Sequence, residues 1–176
     1  MRKVKGRVRP VLVYGSPTLR MKCAPVKELT PETEQLIADL MASMLAREDA
    51  LALAANQIGE LQSVIAVNPR TIGIEQEPFI LINPEVRECS GEIERSEGCL
   101  SLPGVNEVVK RPAKVKVHAR SAKARAVTVE AEGTLARALL HEIDHLNGVL
   151  FIDHLSPARR ALLKTALKDL EKQSCA

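Results

Sequence analysis

The stretch Thr134-Leu135-Ala136-Arg137-Ala138-Leu139-Leu140-His141-Glu142-Ile143-Asp144-His145-Leu146-Asn147-Gly148 decides how this chain is read. Leu135, Leu139, Ile143 and Leu146 recur at helical spacing, and Ala136 and Leu140 widen the apolar face, so the segment is predicted to be a largely buried helix. Thr134 after Gly133 is the expected N-cap, and Gly148 stands where a helix C-terminus places its left-handed residue. Residues four apart share a helix face, so His141 and His145 can offer two imidazole nitrogens to one divalent ion. Glu142, not itself a ligand, can then take a proton from water acidified by that ion, as H-E-x-x-H does in metalloproteases. Two histidines in a buried helix need partners, and a metal supplies one to each.

The third ligand discriminates between families, because catalytic sites of this kind use three protein ligands and leave a position open. In the pattern H-E-x-x-H-x-x-G-x-x-H, Gly148 matches, but the last ligand position is Phe151 and His154 falls three residues late. Glu171, the one glutamate after the motif, would complete a thermolysin-like set from near the chain end. Cys99 lies between two turn-forming stretches, Glu97-Gly98 and Leu102-Pro103-Gly104, and its thiolate is the softer ligand for a transition metal.

Three separated segments resemble the peptide deformylases. The family pattern G-x-G-x-A-A-x-Q aligns with Ala50 to Gln57, E-G-C-L-S is intact at Glu97 to Ser101, and Q-H-E-x-D-H-L-x-G aligns with Leu140 to Gly148. Asn83-Pro84, Arg111-Pro112 and Leu135-Ala136-Arg137 extend the likeness from about Val11 to the C-terminus. The resemblance implies a metal-dependent hydrolase that removes the N-formyl group from the formyl-methionine of nascent polypeptides and releases formate. It implies Cys99, His141 and His145 as metal ligands, with Fe²⁺ bound and Ni²⁺, Co²⁺ or Zn²⁺ as substitutes. It assigns Glu142 to proton transfer, the Gln57 side-chain amide and the Leu100 backbone N–H to the oxyanion, and Ala50, Ala52 and Gly98 to the substrate groove. Two motif glycines are replaced here by Ala50 and Ala52, and the glutamine before the first histidine by Leu140. Those replacements leave two alternatives: a metal-binding homologue with an altered or lost groove, or a metallopeptidase of another family.

With 176 residues, 45% of them hydrophobic, the chain has enough apolar material for one domain over residues 1–176. Tyr14, Phe79 and Phe151 are its aromatics, so the core is expected to be aliphatic. Cys23, Cys89, Cys99 and Cys175 form no C-x-x-C pair and are expected to be free thiols, with Cys89 in a core or strand. The basic start, Met1 to Arg7, is followed by no signal-like apolar run, and no stretch reaches membrane-spanning length, which points to the cytoplasm and to no membrane or DNA partner.

Thr30-Pro31-Glu32 starts a predicted helix that continues through Leu36, Ile37, Leu40, Met41, Met44 and Leu45 and ends near Arg47. Short runs at 63–67, 79–82, 86–89, 105–109, 115–117 and 127–129 are predicted strands, too close together for helical crossovers. The expected class is α+β, with antiparallel sheets around the metal-binding helix, an N-terminal helix and a last helix from about Pro157 to Gln173. That last helix carries Arg160, Lys164, Lys168 and Lys172 at four-residue spacing, a stripe expected to be a solvated face; the family resemblance adds ribosome contact as the sharper reading. Arg137 and Asp144 are expected in a structural ion-pair network.

Overall fold

Side chains that alternate between the two covered faces of one sheet organise the chain. Residues 4–174 are described by a computed structural model. Its elements are α1 (Pro31–Leu45), β1 (Ala52–Ala54), β2 (Val64–Val67), β3 (Phe79–Ser90), β4 (Ile93–Cys99), β5 (Leu102–Arg111), β6 (Lys114–Arg120), β7 (Ala126–Glu132), α2 (Gly133–Leu146), α3 (Pro157–Leu162) and α4 (Lys164–Ser174). One antiparallel sheet has the order β1-β2-β3-β6-β7, and β4 and β5 form a separate antiparallel pair.

Ala52, Ala54, Ile65, Val67 and Leu81 point to one face of the large sheet, where they join Leu135, Ala136, Leu139 and Leu146 of α2 in one apolar cluster. Leu53, Val64, Ala66, Ile80 and Ile82 point to the other face and pack with Leu36, Leu40 and Met44 of α1. Strands covered on both faces need apolar residues at every position, which explains why β1 and β2 are buried throughout. A third cluster, with Leu102, Val105, Val109, Phe151, Leu167 and Leu170, joins β5 to α4. The architecture is the expected α+β one, and helix α2 runs through its centre.

Helix α1 begins as predicted, with the Thr30 side chain accepting from the Thr33 N–H. Helix α2 departs at its start: its N-cap is Glu132, without a side-chain cap bond, and Gly133 at φ 59° turns the chain straight from β7 into the helix, so Thr134 is not the cap. The two predicted strands at 79–82 and 86–89 are one strand, β3, which passes Asn83-Pro84 by irregular register. Asn83 adopts φ 52° there, and its amide accepts from Val26 N–H and donates to Val26 C=O, so a local bend continues the strand. Strands β1 and β4 were not predicted. The last helix is divided at Leu163; α3 buries nothing, and the break lets Leu167 and Leu170 of α4 turn onto the third cluster.

Cys23 is buried, Cys89 lies on β3 but is exposed rather than in the core, and both are free, as is Cys99; Cys175 lies outside the described residues. Arg160, Lys164, Lys168 and Lys172 are all exposed, with Arg160 paired to Asp153 and Lys172 to Asp169. Among the described residues no helix is long and apolar enough to cross a membrane.

Gly148 closes α2 at φ 73°, and a Cβ there would stand 2.5 Å from the Arg20 carbonyl oxygen. Gly148→Ala is therefore expected to destabilise by at least about 1–2 kcal/mol from the left-handed backbone alone. Urea unfolding checks this; an unchanged midpoint would show that the turn tolerates a side chain.

Candidate metal centre

Helical spacing places His141 and His145 one turn apart on the buried face of α2, and a bulge brings the third group to them. In the β4–β5 pair, Gly98 opposes Asn106, whereas Cys99 opposes Leu102; this register shift turns the Cys99 side chain toward α2. Gly98 lets the Asn106 side chain lie close, since a Cβ there would stand 2.3 Å from Asn106 Oδ1 and the exposed asparagine would have to move aside. The result is a convergent trio: Cys99 Sγ is 3.2 Å from His145 Nε2, which is 3.2 Å from His141 Nε2, and the three ligand atoms lie within 4.8 Å of one another. Glu171, the alternative third ligand, is exposed on α4.

The donor set and its surroundings fit a divalent transition metal. His141 Nδ1 donates to Glu97 Oε1 at 2.7 Å, which leaves Nε2 free to coordinate. His145 Nδ1 and Glu142 Oε2 are buried without hydrogen-bond partners. An unpaired buried carboxylate oxygen beside a thiolate and two imidazoles is costly unless something occupies the space between them.

Glu97 is the hub behind the ligands. Arg111 donates to it through Nε at 3.1 Å and Nη2 at 2.6 Å, and Arg137 through Nη2 at 2.9 Å. Burial pushes its carboxyl up, but hydrogen bonds from His141 and Arg111 outweigh this and bring it to about 2. Arg111 also donates to Asp144 Oδ2 at 2.6 Å, so the expected network of Arg137 and Asp144 exists, with Glu97 and Arg111 as its unforeseen centre. Burial pushes Glu142 up to about 7. It pushes His145 well down, toward the neutral ligand form; His141 is held well above its ordinary value by Cys99, Glu97 and Glu142 despite its burial.

The trio opens into a cleft of about 410 Å³ whose walls include Ala50, Ala52, Gln57, Gly98, Leu100 and Glu142. Ala50 and Ala52 have no left-handed backbone, and both are buried, each in one of the two clusters flanking the sheet. Gln57 accepts from the Ala54 N–H at 2.9 Å, while its NH₂ donates to Ser101 Oγ at 3.1 Å and to Cys99 Sγ at 3.6 Å. Leu100 follows Cys99 in the turn between β4 and β5. Leu140 packs against the first apolar cluster. A positioning contact that spacing did not suggest is Asn56, fully buried, whose amide donates to the His145 carbonyl at 2.5 Å.

Comparison with known proteins agrees with this geometry. The family model for polypeptide deformylase matches residues 8–161. A peptide deformylase of Acinetobacter baumannii is 37% identical over 165 residues, 93% of this chain and 92% of that protein. The crystal structure of a peptide deformylase from Legionella pneumophila superposes with a TM-score of 0.85 at 34% identity, over 96% of this chain and 98% of that one. A peptide deformylase from Ehrlichia chaffeensis, solved in complex with actinonin, gives 0.83 at 30% identity, over 94% and 97%. Likeness at this level, over nearly the whole length of sequence and backbone alike, means that the chain belongs to the polypeptide deformylase family.

Proposed function

We propose that this chain, as one catalytic domain over residues 1–176, hydrolyses the formyl amide at the N-terminus of formyl-methionyl nascent peptides. The observation that carries the reading is the unpartnered, buried Glu142 Oε2 in the same cleft as the Cys99–His141–His145 trio. Cys99, His141 and His145 would hold the ion, which when bound supplies Lewis-acid polarisation and brings the pKa of water toward neutrality. Glu142 takes a proton from the attacking water as the new C–O bond forms at the formyl carbon. Gln57 turns one N–H from its long contact with Cys99 Sγ to the developing oxyanion, together with the Leu100 backbone N–H. Glu142 then delivers the proton to the leaving nitrogen as the C–N bond breaks, giving formate and a free amine. Ala50, Ala52 and Gly98 line the path of the peptide.

Fe²⁺ is the proposed ion, since a His₂Cys set suits ferrous iron, although it suits zinc as well. The test is formate release from formyl-Met-Ala-Ser by protein prepared without air and loaded with Fe²⁺ or with Zn²⁺. Formate with iron and much less with zinc is expected. Equal rates would remove the ferrous assignment, and no formate with metal bound would favour a metal-binding homologue.

The proposed setting is the cytoplasm, with the exposed Arg160, Lys164, Lys168 and Lys172 stripe touching ribosomal RNA. Truncating residues 157–176 is expected to abolish salt-sensitive co-sedimentation with ribosomes, because phosphate contacts weaken steeply with salt. Binding that survives truncation would rule the stripe out.

A further inference from the structure

Behind the ligands, an unbroken run of hydrogen bonds leads from His141 to the surface. His141 Nδ1 and Arg111 Nη2 donate to the same Glu97 oxygen, at 2.7 and 2.6 Å. Arg111 Nη1 donates to Asp144 Oδ2 at 2.6 Å, and His154 Nε2 lies 2.7 Å from that same oxygen. The Asp144 carboxylate can only accept, from Arg111 on one side and from His154 Nε2 on the other. Exposure rises outward: the Arg111 side chain is 4% exposed, Asp144 23% and His154 37%.

The short 3-10 turn that carries His154, Phe151–His154, touches the ligand a second way. The Phe151 ring stacks on His141, with centroids 6.1 Å apart and planes 24° from parallel. One turn therefore fixes the His141 ring both by its face and, through three intermediate residues, by its Nδ1–H. Without a donor from His154, Asp144 is held by Arg111 alone, and the Arg111 fork that joins it to Glu97 is fixed less firmly at its outer end.

We propose that His154 is a positioning residue for the metal centre, which acts on His141 through Asp144, Arg111 and Glu97. This rests on the reading of Cys99, His141 and His145 as metal ligands. Partners in direct contact with a ligand change metal affinity or activity by about 10 to 100-fold; His154, further out, is expected at the low end, about 10-fold.

The experiment loads the wild type, His154→Ala and His154→Gln with Co²⁺ and records the visible cobalt spectrum, the rate of metal loss to a chelator, the melting temperature and steady-state formate release. His154→Ala is expected to fold, shift the cobalt bands, lose metal about 10-fold faster and lower kcat with KM unchanged. His154→Gln, whose amide can still donate to Asp144, is expected to restore most of each. An alanine variant with a lower melting temperature but an unchanged spectrum and metal-loss rate would overturn the proposal, because the turn would then be only structural. A glutamine variant no better than alanine would overturn the hydrogen bond as its cause. A wild type that takes up no cobalt would overturn this inference together with the metal-centre reading. Shifted cobalt bands in a series that releases no formate would leave the positioning role in place and remove the deformylase activity.

Discussion

Glu142→Gln is expected to lower formate release by about 100 to 10,000-fold while the metal stays bound. The amide keeps the shape of the side chain and removes its capacity to take a proton from water. Glu142 is 5% exposed and its Oε2 has no partner, so the carboxylate is held there at an energetic cost that glutamine relieves. The melting temperature should accordingly hold or rise as activity collapses, a combination that a folding defect cannot produce. Metal content, melting temperature and formate release on the same preparation check it. A loss of less than tenfold with metal retained would mean that another group moves the proton.

Arg111→Met carries the largest expected effect on stability. The arginine is 4% exposed and joins two carboxylates, so its removal takes the charged donor from the buried Glu97 and from the partly buried Asp144 together. Removing one partner of a buried ion pair costs about 3–5 kcal/mol, or roughly 6–20 °C in melting temperature for a chain of this size. The Arg159–Glu107 pair at the surface, 3.7 Å apart with the arginine exposed, should by contrast contribute about 0–1 kcal/mol. The acid limb carries a second signature. Glu97 has a folded-state pKa near 2 against an ordinary value of 4.5, so its stabilising contribution is fully present above about 4.5 and is lost as pH falls toward 2. In Arg111→Met that pH-dependent loss should shrink. A melting temperature within about 2 °C of wild type would show that Arg137 and His141 alone satisfy Glu97.

The helix that holds the two histidines was legible because apolar spacing and ligand spacing coincide at four residues. Cys99 was legible as the softer ligand and from the intact Glu97-Gly98-Cys99-Leu100-Ser101 segment, whereas spacing by itself left Glu171 open. The partners of the ligands were not. Glu97 and Arg111 lie 14 residues apart and meet only through the β4–β5 register and the reach of a long side chain, which no local pattern encodes. Strand β1 is Ala-Leu-Ala, with little β-propensity of its own; burial between two helices imposes its conformation. Strand β4 reads Ile-Glu-Arg-Ser-Glu-Gly-Cys, polar nearly throughout, and it extends because β5 pairs with it. Thr134 looked like a cap, but Gly133 in the left-handed region makes the turn one residue earlier.

Cys99 and His145 are 46 residues apart in sequence, one on the β4–β5 pair and the other on the central helix. An ion held by both is a reversible cross-link between two parts of the chain that share no peptide segment near the site, and it closes a long loop whose free ends would otherwise retain their entropy. The ion therefore counts as part of the folding equilibrium as well as the chemistry: at a thousand times its dissociation constant it adds about 4 kcal/mol to the folded state. Withdrawing it would remove one link between hairpin and helix and leave in place the bonds of Arg137 and His141 to the hairpin.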